Sequence, residues 1–160
     1  MTDICHRPIG IIHTPFTSIE GMPIQPAGGV GVRGTIELSP EFAPGLKDLS
    51  GFSHLILIYH FHLSNGYDLE LKPFLDDTPR GVFATRAPRR PNSIGLSVVK
   101  LVRVDGRTLH IENLDIVDGT PLLDIKPFVS AFEHVSDERT GWLDRRAREA
   151  RGVKSDERFR

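Results

Sequence analysis

The chain alternates short, strand-like runs with glycine- and proline-rich turns along most of its 160 residues. Runs rich in β-branched and aliphatic side chains recur at residues 8–13, 32–38, 55–62, 82–85, 96–104, 108–114 and 122–127. The dipeptide Asp105-Gly106 separates two of them and favours a tight hairpin turn. Many short strands at close spacing, with turn signals between them, are typical of barrels and sandwiches. The sequence therefore predicts an all-β fold of about seven strands.

Two helices are expected beside the strands. Ser39 followed by Pro40 is a helix-start signal, and a short helix should end near residues 49–51. A second helix is predicted at residues 142–151, with Thr140 as its cap.

Charge divides the chain into two parts. Residues 1–137 carry 12 basic and 16 acidic side chains, whereas residues 138–160 carry 8 basic and 5 acidic ones. We therefore predict a β domain over 1–137 and a basic C-terminal helix and tail over 138–160.

Cysteine content and hydropathy bear on the cellular compartment. Cys5 is the single cysteine of the sequence, which suits a reducing cytosol. The N-terminus lacks the basic and apolar regions of a signal peptide. The longest strongly apolar run, residues 55–63, is far shorter than the roughly 20 residues needed to span a bilayer. These features predict a cytoplasmic protein that does not enter a membrane.

An arginine-rich loop interrupts the strand pattern. Residues 81–97 read GVFATRAPRRPNSIGLS and hold Arg86, Arg89 and Arg90 around two prolines. The prolines restrict the loop before it binds anything, so less ordering is needed on binding. Guanidinium groups pair bidentately with carboxylates and phosphates. The loop is therefore predicted to bind an anion, either a small carboxylate or a phosphate backbone, although salt bridges with the acidic body are the simpler role for any single arginine.

Two aspartates flank a predicted turn in the segment LDIVDGTP, residues 114–121. A carboxylate at a strand end can bind a ribose diol, and it can also act as a base. Asp118-Gly119 favours a turn without any functional demand, so a purely structural role for Asp118 is an open alternative. The rigid segment Pro23-Ile24-Gln25-Pro26 offers an amide for recognition, or it is an ordinary surface loop.

Histidines suggest a possible metal site. His54, His60 and His62 have even numbers, so an extended chain would place all three on one face. Two histidines at i and i+2 can ligate zinc. No carboxylate or cysteine pair stands near them in sequence, so packed or hydrogen-bonded histidines are the favoured interpretation and no metal is predicted.

Four stretches together resemble a known family. These are GVFATRAPRRPNSIGLSVVKL, LSGFSHLILIYHFH, PIQPAG and LDIVDGTPLLDIKPF. They are similar to the TsaA-like, or TrmO, family of tRNA methyltransferases over about residues 9–132. The resemblance implies a β-barrel that binds S-adenosyl-L-methionine and works as a homodimer. It also implies that the partner is tRNA, methylated at N6 of threonylcarbamoyladenosine at position 37.

Residue roles follow from the same resemblance. The implied cofactor contacts are Ile24, Gln25, Pro26, His62, Leu63, Arg86, Leu96, Leu114, Asp115, Asp118 and Thr120. The chemistry of the implied reaction adds further roles: Asp118 is the candidate catalytic base, and Arg89, Arg90 and Asn92 would face RNA. The sequence lacks a G-x-G-x-x-G motif after a strand, which suits a cofactor without phosphate groups.

Two departures from the family pattern leave alternatives open. Ser93 stands where the family motif more often has a proline. The chain is also expected to be a short form without the additional C-terminal domain of some bacterial members, so its basic tail would contact RNA phosphates instead. The alternatives are a methyltransferase with another RNA or a small-molecule acceptor, and a non-catalytic module that binds S-adenosylmethionine or RNA.

Overall fold

A computed structural model describes residues 2–144 and 146–156 and contains eight strands among them. In chain order these are β1 (Gly10–His13), β2 (Arg33–Leu38), β3 (His54–His60), β4 (Glu70–Leu71), β5 (Arg80–Gly81), β6 (Ile94–Asp105), β7 (Thr108–Glu112) and β8 (Thr120–Pro127). Six of them close an antiparallel barrel in the order β1-β2-β7-β6-β3-β8, while β4 and β5 form a separate pair. The predicted all-β barrel is confirmed, with six strands in the barrel.

Alternating side chains fill the interior of the barrel. In β3, Leu55, Leu57 and Tyr59 are buried while the residues between them are partly exposed, which is the period of two expected for a strand with one face on a core. The other barrel strands contribute further fully buried aliphatic side chains, including Ile12, Ile36, Leu109 and Leu122. Barrel closure also leaves these six strands without an unpaired edge.

The strand predicted at residues 82–85 is wrong. Val82–Ala84 is a 3-10 helix, and the Val82 side chain packs with Leu71, Ala87 and Phe74 in a small cluster outside the main core. The backbone N–H of Val82 donates to the carbonyl of Leu69 at 2.9 Å. The β-branched composition of the run is therefore explained by packing against a loop cluster, and not by a place in the barrel.

Both predicted helices are shorter and tighter than expected. The segment after Ser39 forms 3-10 helices at Pro40–Leu46 and Leu49–Gly51, and Pro44 lies inside the first of them. Proline lacks the N–H that an α-helix needs there. In the predicted 142–151 helix, Gly141–Leu143 and Ala147–Arg151 are 3-10 helices, while position 145 lies outside the described residues.

A single turn of α-helix, α1 (Ser130–Glu133), follows β8. No helix in the described part of the chain is both long enough and apolar enough to cross a bilayer.

One end of the barrel gathers the segments that the family resemblance singled out. β3 ends there, while β6 and β8 begin there, because β3 runs antiparallel to both. The connections at residues 14–32, 61–93 and 113–119 meet at this end. Antiparallel closure therefore brings together motifs that are up to about a hundred positions apart in sequence.

Candidate active site

A cleft of about 860 Å³ opens at this end of the barrel. Its lining includes Tyr59 of β3, Leu96 of β6 and Asp115 of the loop before β8. The walls come from the 19–27 segment, the arginine loop and the C-terminal tail. Clefts that hold small organic ligands have volumes of a few hundred to about 1,000 Å³, so this one is large enough for a nucleoside-sized molecule.

Eight of the eleven residues predicted to contact a cofactor line this cleft. They are Ile24, Gln25, His62, Leu63, Arg86, Leu96, Asp115 and Thr120. Pro26, Leu114 and Asp118 are not among the lining residues. Pro26 starts a 3-10 helix, Pro26–Gly28, and Leu114 is fully buried in the barrel core, so each adjoins a lining residue in sequence without facing the cleft itself.

Asp118 makes structural contacts just outside the cleft. Its Oδ1 accepts a hydrogen bond from the Thr14 backbone N–H at 3.0 Å and lies 3.3 Å from Nδ1 of His13. Its own backbone N–H donates to the carbonyl of Phe16 at 2.7 Å. These bonds join the segment after β1 to the turn before β8, which matches the structural alternative for this residue.

The three loop arginines differ in what they bind. Arg89 Nε donates to Asp68 at 2.8 Å, and Arg90 donates to the carbonyls of Thr85 and Ala87 at 3.1 and 3.2 Å. Arg86 faces the cleft, and its Nη1 lies 3.3 Å from Oε1 of Gln25. Within the described residues Arg86 has no ion pair with a carboxylate, so this guanidinium is available to an anionic ligand.

A buried hydrogen-bonded chain ends at the carboxylate of Asp115. Ser97 Oγ donates to Asp115 Oδ1 at 2.7 Å, and Ser97 Oγ lies 3.0 Å from the Tyr59 hydroxyl. Since a serine hydroxyl has one proton, Tyr59 is the donor to Ser97. Ser97 and Tyr59 are almost completely buried, whereas Asp115 faces the cleft.

Burial sets the protonation of this chain. It raises the pKa of Asp115 to about 6, although the Ser97 hydrogen bond and the charge of Arg86 oppose the shift. Burial, together with the charge of Asp115, also raises the pKa of the Tyr59 phenol far above its ordinary value. Tyr59 therefore remains a donor, while Asp115 exchanges a proton close to neutral pH.

The histidines occupy separate environments. Burial, followed by the proximity of His60, lowers the pKa of His62, which therefore stays neutral at physiological pH. His62 Nδ1 lies 3.4 Å from Thr120 Oγ1, whereas His60 Nδ1 lies 3.2 Å from the Ser93 carbonyl. His54 contacts Ser53 near the opposite end of β3. Across residues 2–144 and 146–156, no three potential metal ligands come together.

The C-terminal tail forms one wall of the cleft, which the sequence did not reveal. We call the described residues of 141–155 the tail strap. Trp142, Leu143, Ala147 and Ala150 of the strap line the cleft. The only sequence signal was that Leu143, Ala147 and Ala150 share one face of the helix predicted there.

Two attachments hold the tail strap in place. Near its start, Trp142 Nε1 donates to the Ala84 carbonyl at 2.8 Å, and Arg146 pairs with the buried Asp76 at 2.6 Å. Hydrogen bonding to Arg80 is the main reason that the pKa of Asp76 lies far below its ordinary value. At its end, backbone bonds of Ser155 to Gly21 and Met22 fix the strap to the 19–27 segment.

Known proteins with similar sequences include proteins named for S-adenosylmethionine binding and for tRNA methylation. Residues 11–134 match the family model of the tRNA-methyltransferase O N-terminal domain. A protein of Pyrococcus abyssi named a probable S-adenosyl-L-methionine-binding protein is 50% identical over 156 residues, which cover 98% of this chain and 85% of that protein. The human tRNA (adenine(37)-N6)-methyltransferase is 34% identical over 79% of this chain and 30% of its own length.

A solved structure supports the same relationship. The crystal structure of TrmO from Pseudomonas aeruginosa superposes with a TM-score of 0.75 at 38% identity, covering 89% of this chain and 64% of that one. This chain thus spans less than two thirds of that structure and about a third of the human enzyme. The family match covers the barrel and all three loops that build the cleft, so the chain belongs to the family of the tRNA-methyltransferase O N-terminal domain.

Proposed function

We propose that this protein is an S-adenosyl-L-methionine-dependent methyltransferase that methylates N6 of adenosine 37 in tRNA, with threonylcarbamoyladenosine as the acceptor nucleoside. The observation that carries the proposal is the cleft, in which an unneutralised guanidinium and a half-buried carboxylate face one space. The family match and the name of the human relative support the choice of reaction.

The groups in the cleft fit the chemistry of the cofactor. Arg86 would bind its amino acid carboxylate, and Gln25 would hold Arg86 in position. The apolar side chains of Ile24, Leu63 and Leu96 would contact the adenosyl group, with His62 and Thr120 beside them. When bound, S-adenosylmethionine supplies a methyl group on a positively charged sulfur, and the nearby Asp115 carboxylate is complementary to that charge. Pro26, Leu114 and Asp118, which adjoin lining residues in sequence, would support these contacts.

We propose that Asp115 accepts the proton that the acceptor nitrogen loses. Methyl transfer forms one C–N bond, breaks one C–S bond and leaves a proton on N6 that must depart. Asp115 faces the cleft, and the hydrogen bond from Ser97 orients its carboxylate. Asp118, the base expected from the sequence, already accepts a hydrogen bond from the Thr14 backbone and does not line the cleft. Asp115 is therefore the better candidate.

Arg86→Ala is expected to weaken cofactor binding by about 10- to 100-fold, because a hydrogen-bonded charge pair contributes roughly 1.5–3 kcal/mol. Isothermal titration calorimetry with S-adenosylmethionine measures the change. Arg89→Ala is a matched control, since Arg89 is in the same loop but pairs with Asp68. Equal affinities for the two variants would contradict the role given to Arg86.

The function itself is tested by transfer of a labelled methyl group from S-adenosylmethionine to tRNA. The wild-type protein is expected to label tRNA that contains threonylcarbamoyladenosine at position 37, and not the same tRNA lacking that modification. Label in both would favour a broader RNA acceptor. If neither tRNA were labelled although the protein bound the cofactor normally, the proposed reaction would be contradicted. A non-catalytic module that binds S-adenosylmethionine would then be the better interpretation.

We also propose that the protein is a cytoplasmic homodimer and that Arg89, Arg90 and Asn92 contact the RNA. Large apolar side chains of the loops around the cleft are exposed, including Phe83 at 75% and Leu69 at 60%. Such a patch is typical of an interface. Light scattering on the purified protein tests the dimer, and a monomer at micromolar concentration would contradict it.

A further inference from the structure

Most positive charges in the described part of the chain pair with carboxylates, whereas most of those between residues 139 and 154 do not. Nine basic residues in the described part of the chain pair with carboxylates: Arg7, Arg33, Arg80, Arg89, Lys100, Arg103, Arg107, Lys126 and Arg146. Within residues 2–144 and 146–156, six others have no hydrogen-bond or ion-pair partner for their side chains, and four of these six lie between residues 139 and 154. The unpaired charge is therefore concentrated in and just before the tail strap, which lines the cleft.

The 3-10 geometry of Ala147–Arg151 explains how this segment presents one row of side chains to the cleft and another to the outer surface. With three residues per turn, positions i and i+3 form a straight row along the helix. Ala147 and Ala150 form the row that lines the cleft, and Ala150 is buried. Arg148 and Arg151 form the next row and are exposed.

The carboxylates of the strap leave these cations free. Glu149 occupies the third row of the 3-10 helix and forms no ion pair with Arg148 or Arg151. Asp144 accepts a hydrogen bond from Thr140 at 3.1 Å. Lys154 continues the exposed basic surface beyond the helix, and its backbone is fixed by a bridge to Pro23.

We propose that the outer surface of the tail strap, formed by Arg148, Arg151 and Lys154, binds the phosphate backbone of the RNA whose nucleoside enters the cleft. The inference rests on the proposed function, which supplies RNA as the acceptor. Exposed, unpaired cations give phosphate contacts that position an RNA without reading its sequence. The attachments of the strap to Asp76 and Met22 hold the backbone that carries these cations beside the cleft, so binding requires ordering of the side chains but not of the segment.

The test measures the affinity of tRNA for the wild-type protein and for Arg148→Glu by fluorescence anisotropy over a series of KCl concentrations. Arg148→Glu is expected to weaken binding about tenfold or more and to reduce the salt dependence, because each lost phosphate contact lowers the slope by about 0.7–0.9. Lys47→Glu is the matched control: Lys47 is also exposed and unpaired, but it lies between β2 and β3 at the opposite end of the barrel. It should change binding less than twofold.

A second variant, Lys154→Glu, repeats the test at the other end of the strap. It keeps the inference testable if Arg148→Glu fails to fold. S-adenosylmethionine affinity should stay unchanged in both, since these side chains are on the outer surface. Equal weakening by Arg148→Glu, Lys154→Glu and Lys47→Glu, or no tRNA binding by the wild type, would overturn the inference. Strap-dependent tRNA binding without methyl transfer would support it and reject the proposed reaction instead.

Discussion

Asp115→Asn is expected to lower the kcat of methyl transfer by about 100-fold or more, because a positioned general base contributes roughly 10²–10⁴ to the rate. Asparagine keeps the shape of the side chain and still accepts the hydrogen bond from Ser97, but it takes up no proton. The measurement is single-turnover methylation at saturating cofactor and tRNA. A weaker affinity for S-adenosylmethionine with unchanged kcat would instead assign Asp115 to the ribose hydroxyls.

Asp118→Asn provides the comparison within the same segment. Its carboxylate lies outside the cleft and accepts a hydrogen bond from the Thr14 backbone, which an asparagine oxygen also accepts. This variant should therefore retain kcat within about threefold, well short of the loss expected for a catalytic base. A larger loss for Asp118→Asn than for Asp115→Asn would reverse the proposed assignment.

The pH dependence of the wild type should report the same carboxylate. The pKa of Asp115 is about 6, so kcat/KM should be flat above this pH and fall about tenfold per unit below it. Because the folded-state pKa exceeds the ordinary value of 3.8, the protonated form stabilises the fold, and this stabilisation is lost as pH rises through about 6. Asp115→Asn should consequently be at least as stable as the wild type at pH 8.

The strands were predictable because apolar, β-branched runs recur at short spacing with turn signals between them, and the family resemblance favoured a barrel over a sandwich. In β3, residues 55–59 form an unbroken run of large apolar side chains, and the Asp105-Gly106 turn joins β6 to β7 as expected. The segment at residues 82–85 has the same β-branched composition but packs against a local cluster, and composition alone does not distinguish the two cases.

The sequence identified most residues of the candidate site, but not how they are arranged around the cleft. Motif resemblance identified Arg86 and Asp115, which are 29 positions apart yet face one cleft. It did not separate Asp115 from Asp118, because which carboxylate enters the cleft depends on the path of the turn before β8. Similarly, the partners of Arg89 and Arg90 are set by tertiary contacts that the loop sequence does not contain.

The tail strap was the largest difference between expectation and structure. Its sequence alternates charges with small residues, which also suits a solvated helix. The contacts that hold it join residues distant in sequence: Arg146 and Asp76, for example, are about 70 positions apart. Pattern analysis within a short window cannot find a partner at that distance.

Gly29→Ala is expected to destabilise the protein by about 3 kcal/mol, at the upper end of the usual cost of overpacking. Gly29 has a φ of −102°, which any residue adopts, so the penalty is steric and not conformational. A Cβ there would overlap the carbonyl oxygen of Leu114 and lie 2.8 Å from its carbonyl carbon. Both are backbone atoms next to Asp115, in a residue that is fully buried.

The substitution should also damage the cleft, because the backbone that must move carries residues from both of its sides. Gly29 follows the helix that begins after Gln25, and Leu114 precedes Asp115. Thermal unfolding and titration with S-adenosylmethionine below the melting temperature separate the two effects. The melting temperature should fall by roughly 10 °C, since 1 kcal/mol corresponds to about 2–4 °C at this size. The cofactor affinity of the remaining folded protein should fall as well.

Gly45→Ala is the matched control for this prediction. A Cβ at Gly45 meets no atom within 4 Å, and the residue lies in a 3-10 helix between β2 and β3, at the opposite end of the barrel. It should leave both the melting temperature and cofactor binding close to wild type. If Gly29→Ala lowered stability but bound the cofactor normally, the 24–29 segment and Asp115 would not share a ligand. Loss of affinity in Gly29→Ala alone would show that the contact between Gly29 and Leu114 sets the spacing of the two sides of the cleft.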